Sequence, residues 1–372
     1  MYETDSRKER NLMKKLFLSL SVSAVTILTV LCVCLACGTV NASADGDVTI
    51  LFTNDLHSHL ISSANERGEG GYAKLMTLIR EQKALDPHAV LVDGGDFSMG
   101  SLFQTVYTQS AVDLLMMGAM GYDVTTLGEH EYDASLSGLA SMLNAAMDSE
   151  KALPSVVCAN YKPAEKGGNP ALNEAWRQYG IKDYVILERG GVYFVIFGIL
   201  GEEAAAELSD SGMVFEDPIK TAKKIVAAAV KDCKENYGAD PIVVCLSHSG
   251  TKNGRGEDYK LAKSVDGIDV IVSGHSHVKL DKPIVVGGTA IVSADDYGRY
   301  LGVVKLTRDG KFKSYELIPV YKWTEEDAEI AAMIESMKKK AEEHYLSDFG
   351  FSFDTILLSN PYYGVPSKTL CL

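Results

Sequence analysis

The chain has 372 residues, of which 46 % are hydrophobic and 23 % are charged, and its formal net charge is −14. This balance is ordinary for a globular protein and excludes a disordered, collagen-like or multi-span membrane protein. At about 100–200 residues per domain, the length predicts two or three domains, although a large α/β domain can exceed that size. The acidic charge argues against a nucleic-acid scaffold, which usually presents a basic face.

The first 44 residues predict an export segment. Basic residues precede an apolar run at 16–36, and Ala42-Ser43-Ala44 follows with the small-x-small pattern of a signal peptidase site. Three fates stay open: cleavage after Ala44, retention of the run as a membrane anchor, for which it is long enough, or lipid attachment at Cys37. Each fate predicts an extracytoplasmic protein that is secreted or attached to the cell envelope through its N-terminus.

Apolar strand-like runs alternate with helical patterns from Asp47 onward. In chain order, the pattern predicts a strand at 48–53, a helix at 72–85, a strand at 89–92, a helix at 106–120, a strand at 124–127, a helix at 136–147 and a strand at 155–159. It then predicts a hairpin at 185–200, a helix at 219–235, strands at 242–246 and 270–273 with a short helix between them, strands at 284–293 and 301–320, the latter a hairpin, and a helix at 325–345. This alternation predicts an α/β fold with largely parallel pairing and antiparallel edges at the hairpins.

Polar clusters rich in aspartate and histidine follow five of these strands. They are Asn54-Asp55-Leu56-His57, Asp93-Gly94-Gly95-Asp96, Gly128-Glu129-His130-Glu131-Tyr132-Asp133, Ser247-His248-Ser249-Gly250 and Gly274-His275-Ser276-His277. Because the carboxyl ends of strands in an α/β sheet converge on one crevice, we expect these side chains to meet in space. Alternation in Asp55-x-His57 and in His275-x-His277 would put both side chains of each pair on one side of an extended segment.

Aspartate and histidine supply the oxygen and nitrogen ligands that suit Mn, Fe, Co, Ni or Zn. Taken singly, each histidine has a plainer explanation as a hydrogen-bonded surface residue, and each aspartate before glycine as a turn residue. Six or seven such ligands exceed the needs of one ion. The clusters together therefore predict two divalent metal ions that share a bridging carboxylate.

In this order, the clusters resemble the calcineurin-like metallophosphoesterases, and more closely their 5′-nucleotidase branch, over roughly residues 48–320. The segment from Thr53 to Leu60 is similar to the opening motif of that branch. The resemblance implies a four-layer α/β/β/α sandwich of two mixed sheets with helices outside. It also implies a first metal held by Asp55, His57 and His277, a bridge at Asp96, a second metal held by Glu129, His248 and His275, and a catalytic pair of His130 and Asp133.

Such a site predicts phosphate-ester hydrolysis. Two metals about 3.5–4 Å apart lower the pKa of a bridging water, and the resulting hydroxide attacks phosphorus opposite the leaving oxygen. His130 would stabilise the transition state and help protonate the leaving alkoxide. Asp133 would orient His130 or, alternatively, cap the helix that follows. Asn160, at the end of a predicted strand, is a candidate substrate contact or a turn residue.

The implied substrate is a small-molecule phosphate ester, with nucleotides such as AMP as the leading candidates. Cyclic nucleotides, nucleotide-sugar pyrophosphates and sulfur esters stay open, because the motifs do not choose among them. A nucleic-acid polymer is not expected, since the acidic surface would repel it.

Two features depart from the family pattern. Glu129 stands where the family has asparagine, and its extra negative charge is expected to preserve metal binding and lower turnover. The chain also ends at Leu372, where the branch normally continues into a domain that holds the nucleoside. These departures keep two other classes open: a catalytically impaired or non-catalytic metal-binding surface protein, and a metal scavenger or adhesin.

The sequence accordingly predicts four regions. They are a signal peptide or anchor at 1–44, a metallophosphoesterase catalytic domain at 45–324, a linker helix at 325–346, and the truncated beginning of a C-terminal 5′-nucleotidase domain at 347–372.

Overall fold

The computed structural model describes residues 46–63, 69–208, 212–252 and 254–355. The export segment predicted at 1–44, and residues 356–372 of the predicted C-terminal region, lie outside the described residues. Among the helices within these described ranges, none combines the length and the apolar character needed to cross a membrane. The predicted domain boundaries stay predictions.

Strands occupy short segments throughout the described chain. They are β1 Val48–Thr53, β2 Val90–Asp93, β3 Val124–Thr126, β4 Ser155–Val157, β5 Tyr161–Pro163, β6 Tyr184–Arg189, β7 Val192–Leu200, β8 Met213–Phe215, β9 Ile242–His248, β10 Thr251–Lys252, β11 Arg255–Gly256, β12 Val270–Ser273, β13 Ile284–Val286, β14 Thr289–Val292, β15 Tyr300–Leu306 and β16 Phe312–Pro319.

Helices lie between many of these strands. They are α1 Tyr72–Leu85, α2 Tyr107–Ser110, α3 Val112–Met120, α4 Ser135–Asp148, α5 Pro170–Tyr179, α6 Glu202–Glu207, α7 Pro218–Tyr237, α8 Glu257–Ser264 and α9 Ala328–His344. Short 3₁₀ helices span Leu102–Val106, His130–Tyr132 and Leu346–Phe349.

The larger strands form two mixed sheets of six strands each, in the orders β16-β15-β1-β2-β3-β4 and β13-β14-β12-β9-β7-β6. In the first sheet, β1 to β4 run parallel, and β15 and β16 add an antiparallel edge. In the second, β7, β9, β12 and β14 run parallel, and β6 and β13 close the two edges in the antiparallel sense. The predicted α/β class with two mixed sheets is therefore confirmed.

Alternating side chains explain why the two sheets pack face to face. In β1, Ile50 and Phe52 join the core between the sheets, together with Val244 of β9. The intervening Leu51 joins a second core on the outer face of the first sheet. Val243, which faces the opposite way from Val244, packs in a third core on the outer face of the second sheet. Helices contribute to both outer cores, which gives the expected four layers.

Ala111 breaks the helix that the sequence predicts at 106–120. Its backbone is left-handed, with a φ of 44°, so α2 ends before it and α3 begins after it. Tyr107, Ala111 and Val112 are all buried in the same core. The apolar pattern therefore continues across the break and gives no sign of it.

Two further expectations need correction. The strand predicted at 284–293 is a hairpin, because Gly287 and Gly288 adopt positive φ values of 60° and 104° and turn the chain between β13 and β14. The sequence analysis also missed α5, whose start is marked by Asn169 and Pro170; the Asn169 side chain accepts a hydrogen bond from the Leu172 N–H. The other predicted strands and helices lie within about three residues of observed ones.

Candidate metal centre

The predicted polar clusters meet at one end of the sandwich, where strands of both sheets finish. The Asp55 N–H donates to the Gly95 carbonyl at 3.0 Å and the His57 N–H to the Asp96 carbonyl at 2.9 Å, joining the loops after β1 and β2. The His275 N–H, in the loop after β12, donates to Asp55 Oδ1 at 2.9 Å. This last bond ties the second sheet to the first directly at the site.

The backbone of this site is held in an unfavourable conformation. Left-handed φ values occur at Asp55 (52°), His57 (48°), Asp96 (51°), His275 (71°) and His277 (49°). The extended segments expected from the alternation of these pairs are therefore wrong. Left-handed backbone at non-glycine residues persists only when the surroundings over-determine it, and it concentrates at functional sites.

One group of candidate ligands consists of Asp55, His57 and His277, each of which offers a ligand atom within 4.8 Å of the others. The Nε2 atoms of His57 and His277 lie 2.9 Å apart, and Asp55 Oδ1 lies 3.8 Å from His277 Nε2. Asp296 Oδ2 lies 3.0 Å from His277 Nδ1. A carboxylate at Nδ1 fixes the tautomer that leaves the Nε2 lone pair for a metal.

A second group consists of Glu129, His248 and His275. Glu129 Oε1 lies 2.7 Å from His275 Nδ1, and Glu129 Oε2 lies 2.9 Å from His248 Nε2. His248 Nδ1 faces the Gly94 carbonyl at 2.9 Å, so a metal-bound His248 would keep its proton on Nδ1 and offer the Nε2 lone pair to the ion. His248 Nε2 and Glu129 Oε2 are both buried without a hydrogen-bond partner. Two such orphaned electron-pair donors fit a divalent cation.

Asp96 lies between the two groups. Its Oδ2 is 3.1 Å from His248 Nε2 and 3.7 Å from His57 Nε2, while its Oδ1 accepts the His130 N–H at 3.0 Å. His275 and His277 diverge: His275 belongs with Glu129, whereas His277 belongs with Asp55. Asp96 itself forms further candidate groups, one with Asp55 and His248 and one with His57 and His130. The structure thus places the other six predicted ligands around one central carboxylate.

Burial and charge contacts act in opposite directions on these side chains. Burial raises the pKa of Asp55 to about 6 and lowers the pKa of His57 to about 4. Burial also disfavours a charged His248, but the carboxylates of Asp96 and Glu129 raise its pKa well above the usual value. Burial would raise the pKa of Glu129 as well, yet its contacts with histidine hold that pKa well below the usual range. Ionised carboxylates at this depth attract a cation.

The predicted catalytic pair stands at the edge of this centre. His130 Nδ1 and Asp133 Oδ2 are 2.7 Å apart, and both side chains are partly exposed. The hydrogen bond to Asp133 raises the pKa of His130 to about 9. Helix α4 begins at Ser135 after Ala134 and has no side-chain cap, so the alternative capping role for Asp133 is wrong.

The sequence analysis missed two carboxylates of this region. Glu131 is fully buried and accepts four hydrogen bonds, from the N–H groups of Asp96 (3.1 Å), Ser98 (3.0 Å) and Gly128 (2.7 Å) and from the Ser98 hydroxyl (2.7 Å). It thereby joins the loop of the central carboxylate to the loop of the catalytic pair. The other is Asp296, which contacts His277. It follows β14, a strand of the second sheet, just as other candidate ligands lie at or just after the ends of β9 and β12, and this position is the feature of the sequence that could have revealed it.

Asn160 is fully buried next to the end of β7. Its Nδ2 donates to the carbonyls of Leu200 (2.8 Å) and Glu216 (3.2 Å), and its Oδ1 accepts the Leu200 N–H at 2.8 Å. Both ends of the Asn160 side-chain amide are therefore hydrogen-bonded to the backbone. The geometry therefore favours a positioning role over contact with substrate.

Comparison with known proteins supports the resemblance. The family model for calcineurin-like phosphoesterases matches residues 48–279, more than half of the chain. The chain is 30 % identical to the trifunctional nucleotide phosphoesterase protein YfkN of Bacillus subtilis over 80 % of this chain and 21 % of YfkN. It is 31 % identical to the 5′-nucleotidase of Bos taurus over 74 % of this chain and 46 % of the bovine protein.

A solved structure has the same fold. The 5′-nucleotidase precursor of Thermus thermophilus superposes with a TM-score of 0.67 at 25 % identity, covering 80 % of this chain and 59 % of that one. The chain spans about half the length of the bovine relative and about a fifth of YfkN. The matched segment contains the loops that carry the clustered ligands. The chain therefore belongs to the calcineurin-like phosphoesterase family of metal-dependent phosphoric ester hydrolases.

Proposed function

We propose that this protein hydrolyses small phosphate esters, with nucleotides as the leading substrates, by means of two divalent metal ions. The observation that carries the proposal is the pair of three-residue ligand groups joined by Asp96. Asp55, His57 and His277 would hold the first ion, and Glu129, His248 and His275 the second. Three carboxylates and four imidazoles form a donor set that suits Mn, Fe, Co, Ni or Zn.

When bound, the two ions supply Lewis acidity and a water molecule of lowered pKa close to the phosphorus atom. His130 acts beside them: its ring centroid lies 5.1 Å from that of His57, at the edge of the first group. Because its hydrogen bond to Asp133 keeps it protonated, His130 donates a proton to the leaving oxygen as the ester bond breaks. Asp133 orients the ring and stabilises its charge.

Nucleotides are proposed because the relatives include proteins named 5′-nucleotidase and nucleotide phosphoesterase. Export is proposed because the first 44 residues resemble a signal sequence or anchor. A metal-binding protein without catalysis is the second candidate. It is favoured by Glu129, because the negative charge of this side chain weakens the binding of a phosphate anion at the site.

The test is metal-dependent phosphate release from AMP by the purified chain, stripped of metal and then supplied with manganese. His130→Ala should lower the rate by about 10²–10⁴-fold, the usual contribution of a positioned acid. His344→Ala, at the exposed end of α9, is the matched control and should leave the rate unchanged. If two ions bind per chain and no ester tested is hydrolysed, the non-catalytic candidate replaces the enzyme.

A further inference from the structure

We infer that the Glu129 carboxylate biases this site by charge: compared with a neutral side chain at the same position, it disfavours phosphate monoesters, which carry two negative charges, more strongly than phosphodiesters, which carry one. The inference rests on the proposed function, because it concerns the same pair of ions. It goes further by naming one residue that discriminates between two substrate classes.

The first step is the fixed position of the charge. Both oxygens of Glu129 are in contact with ligand nitrogens, at 2.7 Å from His275 and 2.9 Å from His248, and its side chain is only 7 % exposed. Because the Glu129 Oε1 contact with His275 Nδ1 is a hydrogen bond, the carboxylate cannot turn toward solvent without breaking it. A charge held at this depth interacts more strongly with its neighbours than one in water.

The second step is the sum of charges. Asp55, Asp96 and Glu129 contribute three negative charges to the two ligand groups. Two divalent ions contribute four positive charges, so the neutral histidines leave a surplus of one. Replacing Glu129 by a neutral side chain would raise the surplus to two.

Two other acidic side chains beside the ligands already have a cationic partner. Asp296 Oδ1 pairs with Arg299 at 2.5 Å, and Asp133 pairs with protonated His130 at 2.7 Å. Removing the charge of Glu129 changes the balance of the ligand groups without breaking either of these pairs. A dianionic ester is repelled by this charge about twice as strongly as a monoanionic one, because the energy scales with the product of charges.

The experiment compares wild type with Glu129→Gln, which removes the charge and keeps the length of the side chain. Binding of inorganic phosphate at pH 8, as a dianion, and of dimethyl phosphate, as a monoanion, is measured by calorimetry at saturating manganese. The metal content of each variant is determined in parallel. We expect phosphate affinity to rise at least about tenfold more than dimethyl phosphate affinity, because a buried unit charge a few Å away is worth more than one power of ten.

Two controls separate charge from shape. Glu129→Asp retains the charge on a shorter side chain, so its affinity ratio should stay near the wild-type value. Glu316→Gln removes one exposed charge from the edge strand β16 and should change neither affinity. Equal gains for both anions in Glu129→Gln, or a Glu129→Asp ratio shifted as far as that of Glu129→Gln, would overturn the inference.

Kinetics give the corresponding readout. The ratio of kcat/KM for p-nitrophenyl phosphate to that for bis(p-nitrophenyl) phosphate should rise at least about tenfold in Glu129→Gln. If wild type hydrolyses neither of these esters nor AMP, the proposed function fails. The binding ratio still decides the inference in that case, because it requires no turnover.

Discussion

Glu131 shows how one buried side chain organises the loops on which the site depends. Its two oxygens accept four hydrogen bonds, which come from the loop after β2 and from the loop after β3. A carboxylate is the side chain that accepts this many bonds without donating any. In the sequence, neither charge nor hydrophobic pattern distinguishes Glu131 from Glu129. Only the fold shows that Glu131 accepts hydrogen bonds from two loops, whereas Glu129 is a candidate metal ligand.

Replacing Glu131 by glutamine should lower the free energy of unfolding by about 1–3 kcal/mol, because the new NH₂ group would face N–H donors and leave them unpaired. Urea unfolding of the metal-free protein measures this loss. Glu316→Gln, on the exposed face of β16, provides the comparison and should stay within about 0.5 kcal/mol of wild type. A Glu131→Gln variant that is equally stable would show that the four bonds contribute little.

Asp113 predicts a pH dependence of stability. It is 1 % exposed on α3, and burial raises the pKa of its carboxyl to about 7. The unfolded value is near 3.9. The folded chain therefore binds this proton more tightly, and the stabilisation present at low pH is lost as the pH rises from about 4 through 7.

Asp113→Asn removes this titration and leaves a side chain of similar volume. Relative to wild type, the variant should become progressively more stable between pH 4 and pH 7.5. Chemical denaturation at several pH values, all without metal, measures the difference in unfolding free energy. A difference that does not change with pH would mean that Asp113 has an ordinary pKa in the folded chain.

At the scale of elements, the candidate ligands lie in loops that approach one another more closely than side chains normally allow. Gly128 illustrates this. A Cβ atom at this position would lie 2.1 Å from Asp96 Oδ1 and 2.8 Å from His248 Nε2. The loop after β3 therefore reaches the other two loops only because residue 128 has no side chain.

Gly128→Ala should push the central carboxylate and His248 away from their positions and reduce metal binding below two ions per chain. Metal content after dialysis against manganese, measured by mass spectrometry, tests this expectation. Gly238→Ala is the control: its φ of 68° is positive, unlike that of Gly128, but a Cβ there meets no atom within 4 Å. Undiminished binding in Gly128→Ala would mean that the loops adjust without moving the ligands.

At the scale of the whole molecule, the two sheets depend on each other. One core of side chains from both sheets lies between them, and ligands from both sheets meet at its end. The loop after β1 and the loop after β12 would hold the same ion. Metal binding is therefore expected to stabilise the packing of the sheets and not only the loops.

Removal of divalent metal should accordingly lower the Tm of the whole chain. Because ions that bind only the folded state stabilise it in proportion to the logarithm of their concentration, Tm should rise with added manganese. Calorimetric scans with chelator and with increasing metal measure the shift, and His248→Ala should reduce it. A Tm that is the same with chelator and with excess manganese would contradict the metal centre.

The amino-acid sequence by itself determined which residue types could act and where the strands end. Alternating apolar side chains define β1 and β9, and the polar residues that follow them carry the candidate ligands. The α/β class was predicted correctly from the hydrophobic period, which is a property of the linear chain. The two mixed sheets were predicted from the family resemblance, which rests on the order of the motifs.

Only the tertiary structure decided how those residues combine. His275 and His277 are two residues apart, yet left-handed backbone directs them to different groups. Glu131 and Asp296 take their roles from hydrogen bonds to residues distant in the chain. Such contacts depend on the register of the strands and on the packing between the sheets. Neither can be predicted from a local sequence pattern. The break at Ala111 was hidden for the same reason, since both sides of it are buried in one core.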